Sequence, residues 1–99
     1  MDLTVQSVNF DADVKLKDFI QTKSAKLLQF YDGITTVDVY LRVEKNHQKG
    51  NKLVEMKVNV PGSTLMASQR NTTFEAATDK LIDQMSRQVK RYKAKQKAA

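Results

Sequence analysis

The stretch MSRQVKRYKAKQKAA holds Arg87, Lys90, Arg91, Lys93, Lys95 and Lys97 and no carboxylate; the last acid before it is Asp83. Each of these side chains offers N–H donors and a positive charge, and none offers an acceptor. The chemistry open to them is capture of an anion with several oxygens, phosphate above all. On a helix of about 100° per residue, with Arg87 at zero, Lys90, Arg91 and Lys95 fall within roughly 80°. Lys93 and Lys97 extend that side, while Met85, Val89 and Tyr92 lie opposite. The cations therefore form an outward stripe. A rise of about 1.5 Å per residue carries it over roughly 15 Å, enough to follow several phosphates. The partial negative charge at a helix C-terminus also favours cations, but that effect fades beyond the last turn.

Nothing else has the form of a catalytic constellation. His47 is the one histidine and falls in a predicted loop. The absence of cysteine excludes disulfides, thiolate metal sites and cysteine nucleophiles. No Cys/His cluster suits a metal, and the three glycines form no phosphate-cradling loop. The expectation is a protein without enzymatic activity, metal, cofactor or small-molecule substrate.

Charge is unevenly placed. The chain of 99 residues carries a net +6, but residues 1–40 hold four Lys against six Asp, and residues 41–99 hold 13 Lys or Arg against five acids. That asymmetry points to a polyanionic partner, nucleic acid first and an anionic membrane second. With 40% hydrophobic residues the chain can build one modest core. No window reaches the roughly 18 apolar residues of a membrane span. MDLTVQSV lacks the basic and apolar regions of a secretory leader. A cytoplasmic protein is expected.

Several elements must position the stripe. LTVQSV reads as a first strand, and Asp11 or Asp13 as the cap of a helix over about 12–31. Its apolar residues are Leu16, Phe19, Ile20, Leu27, Phe30 and Tyr31, and Asp32-Gly33 is expected to end it with glycine in the left-handed conformation. In TTVDVYLRVEK and KLVEMKVNV, apolar and polar residues alternate strictly, so each strand buries one face. NHQKGN joins them, Val60-Pro61-Gly62-Ser63 fits a type II turn, and TLMASQR is a fourth strand. Thr72-Thr73-Phe74-Glu75 reads as a capping box, with Thr72 bonding the Glu75 amide. The second helix runs to about Lys93, burying Phe74, Ala77, Leu81, Met85, Val89 and Tyr92.

The order β-α-β-β-β-α predicts an α+β fold, a two-layer sandwich. A four-stranded mixed sheet carries two helices on one face, with strands one and two parallel. Residues 1–95 form a single binding domain, and 96–99 a short basic tail.

Other cations join the account. Lys23 falls inside the apolar stripe of the first helix, so it must snorkel or find a partner. Helices lying side by side would gather Lys23, Lys26, Arg87, Lys90 and Arg91 along one rim. The open sheet face carries Tyr40, Arg42 and Lys57 mixed with Asp38, Glu44 and Glu55, a solvated mixed surface with no aromatic run for base stacking. Lys45, Lys49 and Lys52 make a loop cluster around His47.

With these features placed, the chain resembles the ribosome hibernation family, which comprises hibernation promoting factor and the ribosome-associated inhibitor, or small-subunit interface protein. LKDFIQTKSAKLLQFYDGI, VDVYLRVEKNHQKG, VEMKVNVPGSTLMAS and AATDKLIDQMSRQVKRYKAK carry the resemblance over nearly the full length. The V-P-G turn, the L-x-V-E-K strand end and the S-R-Q-V-K-R helix segment are specific in combination. The resemblance implies binding to the small ribosomal subunit, contact with its rRNA in the mRNA and tRNA channel, and arrest of translation in stress or stationary phase. It implies rRNA contacts at Lys23, Lys26, Lys45, Arg87, Lys90, Arg91 and Lys93, with Arg42, Lys49, Arg70 and Lys95 as further contacts. Lys23 would then meet phosphate. Many members carry an acidic run before the second helix; Gln69-Arg70-Asn71-Thr72-Thr73 replaces it here, and Arg70 adds to the RNA surface. A short form, without the extra domain of long members, is expected.

Three alternatives stay open on the residues alone. A general double-stranded-RNA-binding module would bind duplex RNA as well as ribosomes. A basic amphipathic anchor would float with anionic vesicles, though only Met85, Val89 and Tyr92 could insert. A regulatory protein-interaction domain would be retained by a polymerase.

Overall fold

The computed structural model describes residues 2–45 and 50–98, with side chains described as far as Gln96. The elements run β1 (Asp2–Val8), α1 (Val14–Ala25), a 3-10 turn (Lys26–Gln29), β2 (Thr36–Val43), β3 (Lys52–Val60), β4 (Ser63–Asn71) and α2 (Phe74–Ala98). The strands lie in sequence order in one sheet. β1 and β2 are parallel, and the other neighbours are antiparallel. The expected α+β two-layer fold is the one observed.

Alternation sets the faces. Val37, Val39 and Leu41 of β2 and Val54, Met56, Val58 and Val60 of β3 are buried on one side of the sheet. Ile20, Leu27, Phe74, Ala77, Leu81, Ile82, Met85 and Val89 close the core from the helix layer. Of the first helix's apolar stripe, Ile20 and Leu27 are fully buried, while Leu16, Phe19, Phe30 and Tyr31 pack partly buried around them. Ser24 and Thr78, one on each helix, are fully buried as well. Their small size suits a close helix–helix approach, which no apolar pattern could have flagged.

Local chemistry explains the entries and turns. Asp13 caps α1, its Oδ1 accepting from the Leu16 amide at 2.8 Å. Before it, Asn9 takes φ of +64°, a conformation asparagine tolerates. Phe10 then stacks on Phe74, centroids 5.3 Å apart, and ties the incoming loop to the start of α2. Gly62 at φ +80° meets the demand of the Pro61-Gly62 turn. Gly50 lies at φ +137°, and a Cβ there would collide with the backbone of Asn71 and Thr72. Gly50 thus packs against the junction of β4 and α2.

Three expectations need correction. The first helix does not run unbroken to Tyr31 with a left-handed Gly33. It passes into a 3-10 turn at Lys26, ends at Gln29, and no positive φ occurs at Gly33. A Cβ on Gly33 would instead strike the Tyr31 ring, so glycine serves a close approach there. The cap of α2 is Thr73, not Thr72: Thr73 Oγ1 accepts from the Ala76 amide at 3.1 Å. Ala76 lacks the side chain a reciprocal box needs, and the Thr72 amide is satisfied by Asn71 Oδ1 at 2.7 Å. Finally, α2 continues past Lys93 to Ala98.

Candidate nucleic-acid interface

The two sides of the molecule differ in charge. The strand register places Asp2, Asp38, Glu55, Arg42, Lys57 and Arg70 on the open sheet face. Its cations are largely engaged. Arg42 Nε donates to Glu55 Oε1 at 2.6 Å. Arg70 makes a two-pronged contact with Glu44, at 3.0 and 2.8 Å. Those hydrogen bonds hold the Arg70 guanidinium above its ordinary pKa. Arg42 and Arg70 thus sit in preformed cross-strand pairs, which the one-dimensional sequence could not pair up.

The helix side carries the surplus. Lys26, Arg87, Lys90, Arg91 and Lys95 are exposed, and Lys93 is half-buried. None of the six has an ion-pair partner among the described residues. Their carrier, α2, is long because helix formers dominate it and its buried stripe pins it to the sheet. Its far end is fastened too. The Tyr92 hydroxyl donates to the Pro61 carbonyl, and the Tyr92 ring tilts against Tyr31 with centroids 5.9 Å apart. The β3–β4 turn therefore anchors the basic end of the helix.

Between the helices lies a hollow of about 310 Å³, with Lys23, Lys26 and Phe30 on one side and Asp79 and Asp83 on the other. Lys23 resolves its conflict in both expected ways. Its side chain keeps 31% of its surface exposed, and its Nζ lies 3.4 Å from Asp79. It also sits 5.5 Å from the Phe19 ring centroid. Its partner in this structure is a carboxylate of the protein. Asp79 and Asp83 in this hollow escaped the sequence reading, because only their spacing on the outer side of α2 hinted at it. Lys90 Nζ lies 4.4 Å from the Phe30 ring centroid, a cation–π distance that tips it toward this hollow.

The expected single rim is therefore divided. Lys23 and Lys26 share the helix–helix hollow, with Lys90 above Phe30 beside it. Arg91 and Lys95 line a different groove, between α2 and β4, which also includes Ser63 and Gln88. Arg87 is exposed on the same helix. Lys45 is exposed at the end of β2. Lys52 leaves the loop cluster, its Nζ lying 5.8 Å from the Phe74 ring centroid. Lys49 and His47 lie outside the described residues, as does the Lys97 side chain. Among the described residues no group of three or more His, Cys, Asp or Glu could hold a metal, and no helix is long and apolar enough to cross a membrane.

Fold and surface together define a two-layer α+β domain whose helical side is cationic and whose open sheet side is charge-balanced. The chain belongs to the family described as sigma 54 modulation protein / S30EA ribosomal protein, which matches residues 3–97. It is 32% identical over 98 residues to a ribosome hibernation promoting factor of Pseudomonas putida, covering 99% of this chain and 92% of that one. It is 35% identical over 97 residues to the factor of the same name from Salmonella typhimurium, covering 98% of each. In fold it is similar to a ribosomal subunit interface protein from Coxiella burnetii, with a TM-score of 0.84 at 22% identity over 95% of this chain and 99% of that one.

Proposed function

We propose that this chain is a non-enzymatic ribosome hibernation factor that acts in the cytoplasm. It binds the rRNA of the small subunit in the channel used by mRNA and tRNA, and so blocks translation during stress or stationary phase. Residues 1–95 act as one binding unit, with 96–99 prolonging its basic end. The observation that carries this is the surplus of helix-side cations without an ion-pair partner among the described residues, set against carboxylate-paired arginines on the open sheet. Counterion release from rRNA drives such binding. Contacts to backbone carry little sequence information, so selectivity comes from fitting a folded cleft. Lys26, Lys45, Arg87, Lys90, Arg91 and Lys93 meet phosphate directly, joined by Lys95. Lys23 does so by exchanging Asp79 for phosphate. Arg42 and Arg70 contribute only where their glutamates can be displaced, and Lys49 extends the Lys45 end.

The triple variant Arg87→Glu, Lys90→Glu, Arg91→Glu tests this. All three residues are exposed, so the circular dichroism spectrum and cooperative unfolding should persist. Co-sedimentation with purified small subunits should vanish. Normal pelleting of a folded triple variant would remove the basis of the proposal.

A further inference from the structure

The β4 flank of α2 forms a groove of about 480 Å³ between that helix and the free edge of the sheet. Ser63, Gln88, Arg91 and Lys95 line it, together with Leu65 and Tyr92, and among the described residues no carboxylate does. The helix–helix hollow, by contrast, contains Asp79 and Asp83. β4 is an edge strand, and its antiparallel register with β3 sends the peptide groups of alternate residues outward. Met66 is one of these. Its carbonyl accepts from Gln88 Nε2 at 2.9 Å, and the same register turns its N–H outward.

Gln88 therefore occupies an edge acceptor that would repel a phosphate oxygen, and leaves donors facing the groove. Arg91 and Lys95 stand one helical turn apart, about 6 Å along the axis, and neither has an ion-pair partner among the described residues. An acidic peptide would use such an edge by adding a strand. That requires the Met66 carbonyl, which is already taken. A phosphodiester chain needs only cations and donors. We propose that the β4–α2 groove binds the phosphate backbone of a single RNA strand, as a second site on the opposite flank of α2 from the helix–helix hollow. The assignment rests on α2 facing RNA, and adds that the helix is wedged between two phosphate backbones.

Amide NMR spectra of the full chain, titrated at low salt with a uridine hexanucleotide, test it. Saturable shifts are expected at the outward-facing Thr64 and Met66 amides and at the Gln88 side-chain amide. They should disappear in the double variant Ser63→Asp, Lys95→Glu, whose dispersed spectrum reports its folding in the same experiment. A hexaglutamate peptide should leave these signals in place; equal shifts with it would overturn the choice of RNA. Shifts confined to the Lys23–Gln29 flank would overturn the groove while leaving the hibernation proposal standing. On ribosomes, the double variant should lower the salt dependence of small-subunit binding by about 0.7 in log–log slope per lost contact. An unchanged slope would again count against the groove. Groove shifts without any small-subunit binding by the unaltered chain would keep the groove and overturn the ribosomal proposal.

Discussion

Lys23 shows how one residue can be read correctly and still be incomplete. Its place among Phe19, Ile20 and Leu27 demands an outlet for the ammonium, and the structure supplies Asp79 at 3.4 Å. The pair is partly exposed, 31% and 58% on the two side chains, so it contributes at most about 1 kcal/mol to folding. Its weight lies in binding. Asp79 must be given up, or its charge tolerated, when phosphate approaches Lys23. Asp79→Asn is therefore expected to leave unfolding within about 1 kcal/mol of the parent and to tighten small-subunit binding several-fold at low salt. Weaker binding would mean that Asp79 positions Lys23 rather than competing for it. Chemical denaturation and a filter-binding titration check the two halves. The acid itself was invisible as a partner in the sequence, because 56 positions separate it from Lys23.

Among the elements, α2 decides most. Its stripe of Phe74, Ala77, Leu81, Met85, Val89 and Tyr92 was legible from helical spacing alone; the first five are buried, and Tyr92 is only half-buried at the margin of the core. Its start was misplaced by one residue, because Thr72 and Thr73 are equally good caps by type. The choice went to Thr73 once Asn71 Oδ1 had satisfied the Thr72 amide. Thr73→Ala should then cost about 0.5–2 kcal/mol, and Thr72→Ala under about 0.5 kcal/mol, by urea denaturation. Equal losses would restore the capping box. Its far end overran the expected stop for a local reason: Ala94, Lys95, Gln96 and Lys97 are all good helix formers, and nothing among them ends the helix before Ala98.

For the whole molecule the relevant quantity is the separation of charge between two faces. Sheet-face arginines are tied to glutamates, while the helix-side cations of α2 and Lys26 have no ion-pair partner among the described residues. Binding should accordingly depend steeply on salt. If about six cations each meet a phosphate, affinity for small subunits should drop roughly a thousandfold between about 50 and 200 mM salt. Sedimentation binding curves at stepped potassium concentration measure the slope. A nearly flat dependence would instead indicate a protein partner held by the apolar and paired groups of the sheet face, where Met66 stands 67% exposed.

The sequence by itself determined the element order, the buried face of the two central strands and the one-sided basic helix. Periods of 2 and 3.6 residues and a tally of charge are local properties, readable without coordinates. Tertiary structure alone decided which cations are free. Ion pairing depends on through-space distance. Glu44 meets Arg70, Glu55 meets Arg42 and Asp79 meets Lys23 only after hairpin register and helix packing bring distant positions together. The same packing split one predicted rim into two grooves, because the side chains of Lys90 and Arg91, neighbours in the chain, point about 100° apart around α2.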